Sequence, residues 1–144
     1  MTFDFRSKGL FASPHLHYAR FWLSIGVAML LIVLTLSLVS LPEDVTRILW
    51  SDKLLHGIAY AGLMGWFAQL YKHDFVRIVL LLGLVAFGVG IELLQALTPT
   101  RKFDFIDMVA NASGVLLAWA LSYTFFGNIL ERFETLFRPK AARA

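Results

Sequence analysis

Polar residues recur at helical spacing beside the long apolar stretches of this sequence. The segment SDKLLHGIAY places Asp52, His56 and Tyr60 four residues apart, so all three share one face of a helix. In IELLQALTPTRKFDFIDMVAN, Glu92 and Gln95 lie one turn apart on another predicted helix. Half-buried carboxylates and imidazoles can work as general acids and bases near neutral pH. The two segments therefore contain candidates for acid–base chemistry.

The second segment continues into a polar-to-small stripe. Asp104, Asp107, Asn111, Gly114 and Ala118 follow one another at spacings of three and four residues, which places them on one helical face. The candidate acid–base residues are Asp52, His56, Glu92 and Asp107, and the candidate substrate-binding residues are Lys53, Tyr60, Gln95, Arg101, Asp104 and Asn111.

The basic residues of these segments suit an anionic ligand. Arg101 and Lys53 would hold a phosphate or carboxylate, which a guanidinium can bind through two hydrogen bonds. The chain has no cysteine, which excludes disulfides, thiolate nucleophiles and zinc–thiolate sites. Oxygen ligands without thiolates suit Mg²⁺, Ca²⁺ or Mn²⁺ better than copper. A divalent cation held by oxygen ligands is a candidate cofactor, although no ligand spacing identifies a metal.

The composition is that of a membrane protein. Hydrophobic residues make up 58% of the 144 residues and charged residues 16%, against about 25% charged in ordinary soluble domains. The chain also contains 13 Phe and 4 Trp. Its net charge of +3 comes from basic residues that flank apolar segments, where they set orientation in a bilayer. We expect membrane lipid as a partner and no nucleic acid.

Four segments approach the roughly 20 apolar residues that a membrane-spanning helix needs: 20–41, 54–71, 76–97 and 106–126. Their short connections predict an all-α fold, an antiparallel bundle of four transmembrane helices. Residues 1–19 form a cytoplasmic or interfacial leader, 20–126 the membrane domain, and 127–144 a basic amphipathic tail. The apolar face predicted for the tail helix consists of Phe126, Ile129, Leu130, Phe133, Leu136 and Phe137.

The lysines and arginines predict the orientation. Nine of them lie in the two terminal segments and the second loop, counting Arg20 and Arg77 at the adjoining edges of two spans, and four lie in the first and third loops. The positive-inside rule then places both termini in the cytoplasm. The polar stripes lie at the outward ends of the second, third and fourth helices. We therefore predict one cluster near the outer membrane boundary, formed by His56, Glu92, Arg101, Asp107 and Asn111.

Each of these residues also has a simpler interpretation. His56 alone is typical of a hydrogen-bonded interior histidine, and Asp104 and Asp107 suit the positive end of a helix dipole. Arg101 could anchor to lipid headgroups. Glu92 is the hardest to explain as surface, because a charge inside a membrane helix usually faces the bundle and pairs. Together on one side of the membrane, these residues favour a site.

The same residues resemble the VanZ-like family of small integral membrane proteins, over roughly 45–125. The resemblance rests on DKLLHGIAYAGL and ELLQALTPTRKFDFIDMVANASG, with an Asp-Lys-x-x-His-x-x-x-Tyr pattern followed by Glu-x-x-Gln, Arg and Asp-x-x-x-Asn-x-x-Gly. It implies a multi-pass protein of the bacterial cytoplasmic membrane, linked in the founding members of the family to resistance to the glycopeptide teicoplanin. It implies no particular reaction.

Three functions remain open at this stage. The first is an enzyme or binder that acts on an envelope component at the outer leaflet, such as a lipid-linked precursor. The second is a structural or partner-binding protein whose polar cluster stabilises the bundle. Ion or proton transport has less support, because the inner halves of the predicted spans are almost wholly apolar. Sequence alone does not indicate an oligomeric state.

Overall fold

The computed structural model describes residues 15–39, 52–98 and 103–137. Within these ranges the chain forms five α-helices and no strand, which confirms the all-α prediction. The helices are α1 (Ala19–Leu38), α2 (Asp52–Leu70), α3 (Asp74–Ala96), α4 (Phe105–Leu121) and α5 (Ile129–Phe137), and a 3₁₀ helix (Phe125–Asn128) precedes α5. Residues 1–14 of the predicted leader and 138–144 of the predicted tail lie outside the described ranges.

Helices α1 to α4 alternate in direction. Gln95 near the end of α3 donates a 2.7 Å hydrogen bond to the carbonyl of Ser37 near the end of α1. Lys53 at the start of α2 contacts Asp104, just before α4, at 2.5 Å. Glu92, near the end of α3, accepts a 3.3 Å hydrogen bond from the backbone nitrogen of Asp104. The carboxyl ends of α1 and α3 therefore meet the amino ends of α2 and α4, and we call this the site end. The opposite end, where α5 packs, is the tail end.

Helix α2 lies at the centre of the bundle. Leu63, Met64 and Ala68 on this helix have no solvent-exposed surface. Helix α1 packs beside it, and the indole nitrogen of Trp66 on α2 donates a 3.0 Å hydrogen bond to the carbonyl of Trp22 on α1. The core thus forms around a helix that carries several of the candidate site residues.

Two of the helices, α1 and α3, are each long and apolar enough to cross a membrane. A third crossing is present if α4 and the following Phe125–Phe137 segment, bent by 77° relative to each other, form one broken span. Helix α2 does not meet this test, because Asp52, Lys53 and His56 make its first turns polar. A helix enclosed by others has less lipid contact and needs less apolar surface. The four predicted spans match α1 to α4 in position. Two of these helices are long and apolar enough to cross a membrane, and the count is three if the bent pair forms one span.

The fourth helix is shorter than expected. The sequence predicted a span to residue 126, whereas α4 ends at Leu121. The Ser122 hydroxyl donates to the carbonyl of Trp119 at 2.7 Å, and the Thr124 hydroxyl donates to that of Leu121 at 2.6 Å. These short polar side chains satisfy carbonyls that a continuing helix would use, and so favour its termination.

The last helix packs against the tail end of the bundle. Leu130 and Glu134 of α5 are each only 6% exposed, whereas Leu136 is 77% exposed. The sequence placed Leu130 on one face with the phenylalanines, and the structure instead buries it in the bundle core. Phe133 and Phe137 remain exposed. The helix is amphipathic as predicted, but the protein itself covers part of its apolar surface.

Buried Arg77 stabilises the tail end. Its Nε donates to the carbonyl of Tyr71 at 3.0 Å, and its Nη2 donates to that of Ala68 at 3.1 Å. The guanidinium carbon also lies 4.9 Å from the centre of the Tyr123 ring. Positive charge at the carboxyl end of a helix interacts favourably with its dipole. Arg77, counted above only for orientation, therefore caps α2.

Candidate functional site

The close approach of α2 and α4 builds the candidate site. A Cβ atom at Gly114 would collide with the carbonyl oxygen of Gly57 and would lie 3.1 Å from the backbone nitrogen of Ala61. Only glycine at position 114 permits this contact between the two backbones. The contact aligns the polar face of α2 with that of α4, one turn or more from their amino ends.

The rim of the site is an ion-pair network at the site end. Lys53 Nζ lies 2.5 Å from Asp104 Oδ2 and 3.0 Å from Asp107 Oδ1. The other oxygen of Asp104 accepts a 2.8 Å hydrogen bond from the backbone nitrogen of Ile106 and so caps α4. The hydrogen bond from Lys53 is the main reason that the pKa of Asp104 lies below its ordinary value. Asp104 therefore has the capping role expected of a helix-terminal acid, and it also joins α2 to α4.

Deeper in the bundle, a second group of polar side chains meets across three helices. His56 Nδ1 lies 3.2 Å from Asn111 Oδ1, and His56 Nε2 lies 3.9 Å from Asp107 Oδ2. Glu92 of α3 is fully buried, and one of its oxygens accepts a 3.3 Å hydrogen bond from the backbone nitrogen of Asp104. We call His56, Tyr60, Glu92, Asp107 and Asn111 the inner cluster.

Three members of the inner cluster have a buried polar atom without a hydrogen-bond partner. In the described part of the chain, four buried side-chain nitrogen or oxygen atoms lack one. Three of the four belong to the inner cluster: Tyr60 Oη, Glu92 Oε1 and Asn111 Nδ2. Most buried polar groups in proteins are paired, so such a concentration needs an explanation, for example a water, an ion or a ligand.

Because Gly88 of α3 has no side chain, it leaves space for the side chains of Tyr60 and Asn111. A Cβ atom there would lie 3.2 Å from Tyr60 Cε1 and 3.3 Å from Asn111 Nδ2. Gly88 was not among the candidate site residues of the sequence. Its position opposite Tyr60 and Asn111 depends on contacts among three helices, which no local pattern reveals.

The structure brings most of the candidate residues together, but not all of them. Lys53 and Asp104 form the rim, and the inner cluster lies behind them. The inner cluster contains His56, Glu92, Asp107 and Asn111, which are four of the five residues placed in one cluster on the sequence. Gln95 points elsewhere, because its side-chain nitrogen donates to the carbonyl of Ser37 on α1. Arg101 and the side chain of Asp52 lie outside the described parts of the structure.

Three side chains of the inner cluster have the chemistry and geometry of metal ligands. His56, Glu92 and Asp107 each offer a ligand atom, and these atoms all lie within 4.8 Å of one another. The set combines one imidazole nitrogen with two carboxylate oxygens, where the sequence suggested oxygen ligands. The same three groups could also exchange protons with a bound molecule.

Comparisons with protein-family models, with curated proteins and with solved structures found no match to this chain.

Proposed function

We propose that this chain is a VanZ-like protein with four spans, located in a bacterial cytoplasmic membrane, and that both of its termini are cytoplasmic. The order and alternating direction of α1 to α4 support four crossings. Contacts between Glu134 and the backbone just before α1 place the start of α1 and the last helix at the same end of the bundle. An even number of crossings requires this arrangement.

At the site end, the protein would bind or act on a phosphate-bearing amphiphile of the cell envelope, such as a lipid-linked precursor. The observation that carries this proposal is the set of unpartnered buried atoms at Tyr60, Glu92 and Asn111. Each such atom costs roughly 1–3 kcal/mol of folding free energy. A bundle that needed only stability would place apolar side chains at these positions. A ligand that enters from the outer leaflet would supply the missing partners.

The rim and the inner cluster would have different roles in this function. Lys53 is 39% exposed and marks the entrance, where it would attract an anionic headgroup together with Arg101. Glu92, His56 and Asp107 would contact the headgroup from below and could transfer protons. Asp52, one turn before His56 in the sequence, remains a candidate for holding the imidazole.

A structural role is the second candidate, and the ion pairs favour it. Lys53 joins α2 to both acids of α4, and His56 contacts Asn111 across the same interface. These contacts would stabilise the bundle without any ligand. They account for the rim, but they leave the unpartnered atoms of the inner cluster unexplained.

Replacing Glu92 with Gln separates the two functions. The variant keeps the shape of the side chain and deletes one charge, and Glu131→Gln makes the same change on α5 at the tail end. We would compare thermal unfolding of the chelator-treated protein in detergent with susceptibility of the host to teicoplanin and other envelope antibiotics, in a strain lacking the native copy. The proposed function predicts that Glu92→Gln melts like the parent protein and loses the parent's effect on susceptibility.

A structural cluster predicts a different result. Loss of one member of a buried charged pair destabilises proteins by roughly 3–5 kcal/mol, so Glu92→Gln would then express poorly or melt much earlier than Glu131→Gln. If Glu92→Gln keeps both the stability and the phenotype of the parent, neither function is correct.

A further inference from the structure

Three carboxylates of the rim and the inner cluster lie close together at the site end. Glu92, Asp104 and Asp107 are three carboxylates, and Lys53 is the one lysine that contacts any of them among the described residues. Carboxylate and imidazole groups brought this close together could share one divalent cation, which would then be the largest local charge in the cluster.

Two oxygen atoms in the cluster are available to such a cation. Asp107 contacts Lys53 through Oδ1, whereas its Oδ2 is directed toward His56. Glu92 accepts a hydrogen bond at Oε2, whereas its Oε1 is buried and has no hydrogen-bond partner in the described structure. Each carboxylate thus has one oxygen occupied by the protein and one that is not hydrogen-bonded within the described contacts.

The imidazole is oriented to complete the set. His56 Nδ1 lies 3.2 Å from Asn111 Oδ1, and because an amide oxygen can only accept, the tautomer protonated at Nδ1 is the one that can donate to it. In that tautomer the lone pair is on Nε2, which lies 3.9 Å from Asp107 Oδ2. Metal-binding histidines in proteins are commonly oriented in this way, through a hydrogen bond from the second ring nitrogen.

The spacing of the ligand atoms also suits one ion. An ion about 2.1 Å from each ligand holds the ligand atoms at most about 4.2 Å apart, and here they lie within 4.8 Å of one another. Small rotations of the three side chains would close this gap. The ligands come from α2, α3 and α4, so one ion would join three helices.

We propose that His56 Nε2, Glu92 Oε1 and Asp107 Oδ2 bind a divalent first-row transition-metal ion, such as Zn²⁺ or Mn²⁺. The imidazole ligand favours these ions over Mg²⁺ and Ca²⁺, which prefer oxygen. Three protein ligands leave at least one coordination position open. A phosphate oxygen of the amphiphile would occupy that position, and this last step rests on the function proposed above. Metal binding itself does not depend on it.

The test uses the full-length protein, purified in detergent through a tag without histidine and stripped with a chelator. Calorimetric titration with Zn²⁺ and with Mn²⁺ is expected to show saturable binding of one ion per chain, and Mg²⁺ is expected to bind at least about 10-fold more weakly. His56→Asn and Glu92→Gln should each weaken Zn²⁺ binding by about 10-fold or more. The matched controls at the other end of the bundle, His73→Asn and Glu131→Gln, should bind like the parent.

A second measurement needs no variant, in case the substitutions impair folding. The electron spin-echo spectrum of the Mn²⁺-loaded parent protein should show coupling to an imidazole nitrogen, and Zn²⁺ should raise the melting temperature. Absence of saturable binding, absence of nitrogen coupling, or undiminished binding by folded His56→Asn and Glu92→Gln would overturn the metal site.

The outcomes also distinguish the two proposals. Metal binding that Glu92→Gln abolishes, with no change in antibiotic susceptibility, would retain the metal site and reject the proposed function. If the parent protein binds no metal and Glu92→Gln still loses the effect on antibiotic susceptibility, the proposed function would be retained and the metal site rejected.

Discussion

Glu134 Oε1 on the last helix lies 2.6 Å from the indole nitrogen of Trp22 on the first helix. The same carboxylate accepts hydrogen bonds from the backbone nitrogens of His17 at 2.5 Å and Tyr18 at 2.9 Å. A negative charge at the amino end of a helix is stabilised by the free N–H groups and the dipole there. Glu134 is therefore a capping residue for α1 that is supplied by α5.

Replacing Glu134 with Gln should destabilise the protein. The amide can still accept through one oxygen, but the charge and the second acceptor are lost, and hydrogen bonds to charged groups contribute about 1.5–3 kcal/mol each. We expect the free energy of unfolding to fall by about 1–3 kcal/mol, measured by thermal unfolding in detergent. Glu131→Gln, three residues earlier on the same helix, is the control. Equal melting of the two variants would show that the capping contacts contribute nothing.

Gly114→Ala should separate α2 from α4. The added methyl group would collide with the carbonyl of Gly57, which is backbone and cannot rotate away. Overpacking of this kind costs about 1–3 kcal/mol or more, so we expect a lower melting temperature. The control is Gly83→Ala on α3, where an added Cβ would meet no atom within 4 Å. If Gly114→Ala melts like Gly83→Ala, the two backbones do not approach as closely as described.

Tyr60→Phe should leave the protein as stable as the parent or make it more stable. The change removes a buried hydroxyl that lacks a hydrogen-bond partner in the described structure and keeps the ring in the core. We also expect it to reduce the parent's effect on envelope-antibiotic susceptibility, because the hydroxyl would contact the ligand. Tyr123→Phe at the tail end is the control for both measurements. A large loss of stability in Tyr60→Phe would mean that the hydroxyl has a structural partner.

Acid should weaken the rim of the site. In the folded protein the pKa of Asp104 lies below its ordinary value of 3.8. As the pH falls, the unfolded chain is therefore protonated at Asp104 at a higher pH than the folded chain. The ionised Asp104 therefore stabilises the fold fully above that ordinary value, and its contribution is lost as the pH falls through the folded pKa. The side chain is 39% exposed, so the effect should be small and sensitive to salt.

The measurement is the difference in melting temperature between the parent and Asp104→Asn, which retains a good helix cap. We expect a constant difference from about pH 7 to about pH 5, which then shrinks below the ordinary carboxylate value. Asp74→Asn in the first turn of α3 controls for the general effect of removing an acid. A difference that grows on acidification would contradict the ion pair.

The proposed topology can be tested with single cysteines, because the chain contains none. Phe103→Cys lies at the site end and Asp74→Cys at the tail end, and both positions are exposed. An impermeant maleimide added to intact cells should label only the first. A C-terminal alkaline phosphatase fusion should be inactive, and a fluorescent protein in its place should fluoresce. The reverse pattern would move the site to the cytoplasmic face.

The sequence predicted the four long helices and most of the inner cluster because both depend on local signals. Apolar length marks the helices, and the cost of placing Glu92 in an apolar stretch indicates that it faces inward. Gln95 was assigned to the same site because it lies one turn from Glu92. However, a step of three residues rotates the side chain by about 60° around the helix axis, and here that rotation directs Gln95 to Ser37 on α1.

The contacts of Glu134 could not be predicted in this way. On the sequence it is one of several charges on the polar side of an amphipathic tail, and a solvated position explains that pattern equally well. Its partner Trp22 lies 112 residues away. Only the fold brings the two together, as it brings Gly88 beside Tyr60 and Asn111.

Both ends of α1 form hydrogen bonds with residues that are synthesised much later. Gln95 reaches its carboxyl end, 58 residues further along the chain, and Glu134 reaches the residues before its amino end. The contact with Gln95 cannot form before residue 95 has been synthesised, and the contacts with Glu134 cannot form before residue 134 has. Until then α1 has its packing on α2, such as the hydrogen bond from Trp66 to Trp22. The high hydropathy of α1 suits a helix that is stable in an apolar environment during this interval. Complete docking of α1 is therefore a late event in assembly.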